Sequence, residues 1–189
     1  MNSFYTEQEL KQLGFKAVGN NVLISRKASL YGTQEMVIGN NVRIDDFTLL
    51  SGKIEIGNNV HIAAYAALYG GGAGIIIGNY VGISSRCAIY AASDDYSGCA
   101  MTNPTIPLRY RKVIEKEVKL ERHVLIGSGT TILPGVVIQE GTAVGSMSFV
   151  NHSLDKWGIY IGVPCKYIKE RRKELLELTE KYELSTENE

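Results

Sequence analysis

Aliphatic residues recur at every sixth position along one stretch of the chain: Ile38, Ile44, Leu50, Ile56, Ile62 and Leu68. Four residues after each of the first five comes a small or β-branched side chain, at Val42, Thr48, Ile54, Val60 and Ala66. A helix spaces its apolar residues by three or four and a strand by two. A strict period of six fits short strands separated by turns, each strand sending the same two positions inward. A fixed short period means a solenoid, in which each unit buries its core against the next. The beat is also kept by Val18, Ile24 and Leu30, by Ile77, Ile83 and Ile89 after a shift in phase, and by Leu120, Ile126, Ile132, Ile138, Val144 and Val150. The paired inward positions there are Val22, Ala28, Val81, Cys87, Val124, Thr130, Val136, Thr142 and Ser148. The expected fold is all-β, with parallel strands stacked into a prism.

Outside the repeat, residues 1–16 read as a capping helix. Thr6 caps it, Glu9 reaches back, Tyr5 staples onto Leu10, and Gly14 suits the position after its end. The repeat domain is expected over residues 17–165. Tyr31–Glu35 and the run Gly70-Gly71-Gly72-Ala73-Gly74 interrupt the spacing, the latter as a corner bulge or a cleft wall. Residues 93–116 carry no hexads, hold two of the four prolines, and mix polar, basic and aromatic side chains. In a regular solenoid such an excursion lies on one face, often the binding face. Residues 166–189 are expected to form a helix from Tyr167 to about Leu184, then a frayed tail from Ser185 to Glu189.

Twenty basic and twenty acidic residues cancel, which argues against nucleic acid as a partner. Cys87, Cys99 and Cys165 are odd in number and irregular in spacing, so no disulfide framework is expected. No apolar run is long enough to insert in a membrane. A reduced, cytoplasmic setting is the expectation.

Several segments resemble the hexapeptide-repeat acetyltransferases, in particular those acting on galactosides, maltose and xenobiotics. They are the hexads themselves, Ile126-Gly127-Ser128-Gly129, Ile132-Leu133-Pro134-Gly135-Val136, Val144-Gly145-Ser146 and the closing Gly162-Val163-Pro164-Cys165-Lys166. The run Ser93 to Gly98 followed by Thr102-Asn103-Pro104 is similar to acetyltransferases of O-antigen and capsule sugars. The resemblance implies a left-handed parallel β-helix with three hexads per triangular coil, and so about six coils at ~4.8 Å each. It further implies a homotrimer with acetyl-CoA as co-substrate in a groove between subunits. Gly127, Ser128, Ser146 and Asn151 would line the pantetheine arm, and Lys166 and Lys169 would meet the nucleotide phosphates. The acceptor would be a sugar or nucleotide sugar, contacted by Tyr65, Tyr96, Asn103 and Arg109.

The chain departs from that family where its sugar O-acetyltransferases carry a loop histidine. Here the stretch reads Ile89-Tyr90-Ala91-Ala92-Ser93-Asp94-Asp95. The candidate catalytic residues are therefore Asp94 and Asp95, whose mutual repulsion would raise a carboxyl pKa toward neutrality, and His61. His61 sits between inward Val60 and Ile62 and points outward from a flat face. His123 reads as an exposed turn residue, and His152 lies just past the last coil. An amine acceptor would need less help than a hydroxyl, so N- and O-transfer both stay open. No metal-ligand spacing is legible. The alternative is a non-catalytic scaffold or a carbonic-anhydrase-like metal-binding β-helix.

Overall fold

A computed structural model describes residues 3–186; the last residues of the tail, 187–189, lie outside it. The chain winds into a parallel β-helix of triangular cross-section. Its three faces are named here by their strand ladders. Face A stacks Ala17–Val18, Met36–Ile38, the end of Leu49–Ile56, the end of Ala67–Ile77, Val118–Leu120 and Val137–Ile138. Face B stacks Leu23–Ile24, Arg43–Ile44, His61–Ile62, Gly82–Ile83, Leu125–Ile126, Ala143–Val144 and Gly158–Ile161. Face C stacks Ser29–Tyr31, the starts of Leu49–Ile56 and Ala67–Ile77, Ala88–Tyr90, Thr131–Ile132 and Phe149–Val150.

The period of six becomes three inward ladders. Ile44 pairs with Ile62, Leu50 with Leu68 and Ile38 with Ile56, each partner 18 residues on, which is three hexads. All six residues of the founding stretch are buried, as are the paired small positions from Val42 onward. Identical aliphatic side chains stacked at strand spacing fill a narrow core without voids, and that burial is the main stabilising term.

The corners are built from the polar half of each hexad. Between faces A and B, the side-chain carbonyls of Asn40, Asn58 and Asn79 accept from the backbone N–H of Asn20, Asn40 and Asn58, each at 2.8 Å. The next residue in each turn takes positive φ: Asn21, Asn41, Asn59, Tyr80, His123 and Gly141 form one left-handed column. Asparagine tolerates that region better than most residues. Gly141 is required for a second reason, since a Cβ there would lie 2.5 Å from the ring of Trp157 above it.

The ends and insertions largely follow expectation. Helix α1 (Glu7–Gln12) has a full capping box between Thr6 and Glu9, and Gly14 follows its C-cap with φ +71°. The Gly70–Gly74 run is a bulge inside Ala67–Ile77. The long excursion leaves after Ala88–Tyr90 and returns at Val118–Leu120 without disturbing the stack, because Ile83 pairs with Ile126 and Ile89 with Ile132. Its base is an antiparallel hairpin, Ala92–Asp94 against Val113–Glu115.

The C-terminal segment differs from expectation. Lys166–Glu170 is a strand antiparallel to Gly158–Ile161, and helix α2 spans Leu175–Thr186. The open edge of the last coil supplies unpaired backbone groups that capture the returning chain. Arg171 then turns α2 back along face B.

Candidate functional site

The corner between faces B and C carries a second column. Phe47, Tyr65, Arg86, Gly129 and Met147 all take positive φ, and the four side chains among them are exposed. Phe47 and Tyr65 stack at 5.0 Å. Beside them runs a line of hydroxyls, Ser84, Ser85, Ser128 and Ser146, with the Oγ atoms of Ser85 and Ser128 3.4 Å apart. Gly127 lets adjacent coils close up, since a Cβ there would lie 2.5 Å from the backbone nitrogen of Ser146. Gly127 and Ser128 thus share one coil of this corner, and Ser146 stands on the next. Asn151 and the paired His152 sit exposed at the end of the stack. Lys166 and Lys169 project from the exposed closing strand, with no side-chain partner among the described residues.

The excursion presents a different set at the corner between faces C and A. Asp94 is half-buried, and its Oδ2 accepts from the backbone N–H of Asn103 at 3.2 Å. Asp95 is buried, and its carboxylate accepts from the Ser97 hydroxyl at 2.7 Å and the Ser97 N–H at 3.2 Å. Those bonds, the hydroxyl's first, hold its carboxyl below the usual range. Asp95 therefore does not have the raised pKa expected from repulsion by Asp94, because its charge is satisfied locally. It ties the loop through Ser97. Tyr96 and Arg109 are exposed on the same excursion.

His61 projects outward from face B, as the repeat dictates. Its Nε2 lies 2.8 Å from Asp45 Oδ2 on the preceding coil, and Arg43 shares that carboxylate at 2.7 Å. Burial raises the Asp45 pKa, but the bonds from His61 and Arg43 outweigh it and leave it lowered. Within one chain His61 and Asp94 stand on different sides of the prism and are not brought together.

His123 is not an exposed turn residue. It is 6% exposed and stacks on Tyr80 at 5.0 Å. Burial first, then Arg122, pushes its ring pKa below the ordinary value. Its Nε2 is buried without a partner among the described residues. Both residues help line an open cavity of about 550 Å3 between α2 and face B. Arg171 fastens this closure: its Nη1 donates to the carbonyls of His123 at 2.8 Å and Gly141 at 2.9 Å. Ser84, Tyr80 and this cavity were not found from the sequence. Ser84 occupies an ordinary polar turn slot, and the cavity exists only because α2 folds back.

Among the described residues, no cluster of three His, Cys, Asp or Glu side chains could hold a metal ion, and no helix is long and apolar enough to cross a membrane.

A family model described as bacterial transferase hexapeptide (six repeats) matches residues 35–70. The dTDP-4-amino-4,6-dideoxy-D-glucose acyltransferase of Escherichia coli is 44% identical over 179 residues, covering 93% of each chain. AntD, an N-acyltransferase from Bacillus cereus, is 54% identical. Its S84A form, solved with dTDP-4-amino-4,6-dideoxyglucose and coenzyme A, superposes with a TM-score of 0.96 over 98% of this chain and 100% of that one. Other crystals of AntD hold dTDP with 3-hydroxybutyryl-CoA, or carry the change D94A. The stacked hexads, the corner column and likeness over nearly the whole length agree, and the chain belongs to the hexapeptide-repeat acyltransferases that act on sugars.

Proposed function

We propose that this enzyme transfers an acyl group from coenzyme A to the 4-amino group of dTDP-4-amino-4,6-dideoxyglucose, in sites between the subunits of a homotrimer. The observation that carries the reading is the near-complete match to one protein named for this sugar and to another crystallised with it. Serine and aspartate, the residues changed at 84 and 94 in the AntD crystals, stand at those positions here. The absent loop histidine fits the same reading, because a neutral amine attacks a thioester with less basic assistance than a hydroxyl.

In this scheme Ser84 and the Asp94 of a neighbouring subunit hold the amino group, which explains why one chain keeps them apart. The amine nitrogen attacks the thioester carbonyl. A C–N bond forms, backbone N–H groups of the late coils steady the oxyanion, and the C–S bond then breaks. The nitrogen gives up a proton and the departing sulfur receives one. Gly127, Ser128, Ser146 and Asn151 line the pantetheine arm, with Lys166 and Lys169 toward its phosphates. In this scheme the role of base is not assigned to His61, because the attacking amine needs less assistance than a hydroxyl.

The test is release of coenzyme A thiol from acetyl-CoA or 3-hydroxybutyryl-CoA. Release is expected with the amino sugar nucleotide and not with dTDP-glucose. His61→Ala should retain kcat within about tenfold, well short of the 100-fold or more that loss of a general base costs. Absence of thiol release with the amino sugar and either donor would sink the reading.

A further inference from the structure

Toward the N-terminus, the corner between faces B and C continues below Ser84 and Ser85. Its coils are in register. The Gly129 N–H donates to the Ser85 carbonyl at 3.0 Å, the Arg86 N–H to the Ala64 carbonyl at 3.2 Å, and the Tyr65 N–H to the Asp46 carbonyl at 3.1 Å. Ser128, Ser85, Ala64 and Asp46 therefore form one column. Ser84 stands in the next column, toward face B, above Ala63. At ~4.8 Å per coil, Asp46 lies about 10 Å below Ser85. The space between them is a recess. Ala64 gives it a shallow back. Phe47 and Tyr65, stacked at 5.0 Å and half in water, wall one side. Asp46 forms the floor, accepting from the Ser25 hydroxyl at 2.5 Å and from Lys27 at 2.9 Å.

We infer that this recess receives the acyl chain of the donor, and that Ala64 and Tyr65 set a preference for a chain longer than acetyl. The inference rests on the function proposed above and names the acyl class it transfers. Direction is the first argument. A thioester carbonyl is trigonal, so sulfur and acyl chain leave its carbon on different sides within one plane, and the amine must attack from above that plane. In the proposed scheme the pantetheine arm descends this column from Ser146 through Ser128, and its sulfur arrives beside Ser85. The acyl chain then continues down the column onto Ala64. The amine comes from the adjacent column, where Ser84 holds it.

Size is the second argument. The methyl of an acetyl group extends about 1.5 Å past the carbonyl carbon and leaves the recess empty, whereas a four-carbon chain reaches about 4 Å, close to one full coil. The lining is the third. A stacked aromatic pair half in water is stabilised when an apolar chain is laid against it. The Asp46 carboxylate, with two bonds made, keeps acceptor capacity for a hydroxyl carried on that chain. Tyr65, expected from the resemblance to touch the sugar, thus serves the donor.

The experiment measures thiol release by the full-length enzyme at saturating amino sugar nucleotide, with acetyl-CoA and 3-hydroxybutyryl-CoA as donors. The wild type is expected to favour 3-hydroxybutyryl-CoA at least tenfold in kcat/KM. Ala64→Leu fills the recess and should lower that ratio tenfold or more. Tyr65→Asn removes the wall at a residue 56% exposed, with a φ of +63° that asparagine tolerates, and should lower the ratio at least threefold. Circular dichroism verifies each fold and sedimentation each assembly. The ratio is insensitive to a general loss of active enzyme, because both donors meet the same molecules. A wild type that favours acetyl-CoA would overturn the inference. So would an unchanged ratio in Tyr65→Asn: with a raised KM for the amino sugar nucleotide it would give the recess to the sugar, and with loss of assembly to a contact between subunits. If Ala64→Leu fails to fold, Tyr65→Asn decides alone. A wild type that releases no thiol with either donor would instead refute the functional reading, so the two failures are distinct.

Discussion

Arg171 gives the sharpest test of how α2 is held. It donates two hydrogen bonds from one guanidinium nitrogen to the carbonyls of His123 and Gly141, and its backbone N–H donates to the Trp157 carbonyl at 2.7 Å. Burial pushes its pKa down, so it is partly withdrawn from water. Arg171→Met keeps most of the aliphatic stem and removes both side-chain bonds. A hydrogen bond from a charged donor is worth roughly 1.5–3 kcal/mol. Because the side chain is only half-buried, we take about half of that for each, roughly 1.5–3 kcal/mol in all. That is about a 10- to 100-fold shift toward the undocked helix. The remaining contacts of α2 are modest: Tyr80 and Arg122 meet Glu183 at 2.7 and 2.8 Å, while Leu178 and Tyr182 stay largely exposed. Amide hydrogen exchange reads the outcome directly. Protection over residues 175–185 should fall by that factor, while Ile62, Ile83 and Ile126 exchange as in the wild type. Equal protection in both proteins would show that α2 is held by its apolar contacts and that the clasp contributes nothing measurable.

Leu68→Ala removes a fully buried rung between Leu50 and Ile89 and should cost about 2–5 kcal/mol in chemical denaturation, whereas Leu30→Ala in the partly open first coil should cost clearly less. His123 has a folded-state pKa below its ordinary 6.5, so the unfolded chain binds the proton more readily. Stability from this group is therefore complete above pH 6.5 and is lost as pH falls below it, a slope that His123→Gln should flatten in thermal melts between about pH 5 and pH 7. Iodoacetamide should alkylate exposed Cys99 within minutes and spare Cys87 and Cys165, whose thiols are buried and have raised pKa values; mass mapping of the peptides checks this. Asp95→Ala removes the acceptor for both Ser97 donors and should raise proteolytic cleavage within residues 96–112 without changing the melting of the β-helix.

The hexad made the coil legible because its period is local and repeated: Ile44 and Ile62 align whether or not anything is known of the rest of the chain. The same periodicity oriented His61 outward and buried Cys87, and the Thr6–Glu9 cap could be read from four residues. His123 shows where that reading stopped. Its place in the hexad was plain, but its burial depends on Tyr80 one coil below and on Arg171 48 residues later in the chain. For Asp95 the direction of the pKa shift was not legible, because a sequence shows its charged neighbour Asp94 and not the hydroxyl of Ser97 folded onto it.

The sequence by itself determined the prism, its inward ladders, its polar corners and the place where the chain leaves the stack, since each follows from side-chain type at a fixed spacing. Tertiary structure alone decided that the closing strand doubles back along the open edge, that α2 lies over face B, and that Gly82, Tyr80 and His123 share a cavity. Those contacts join residues with no common period. Their energies come from surfaces that meet only once the coils are stacked.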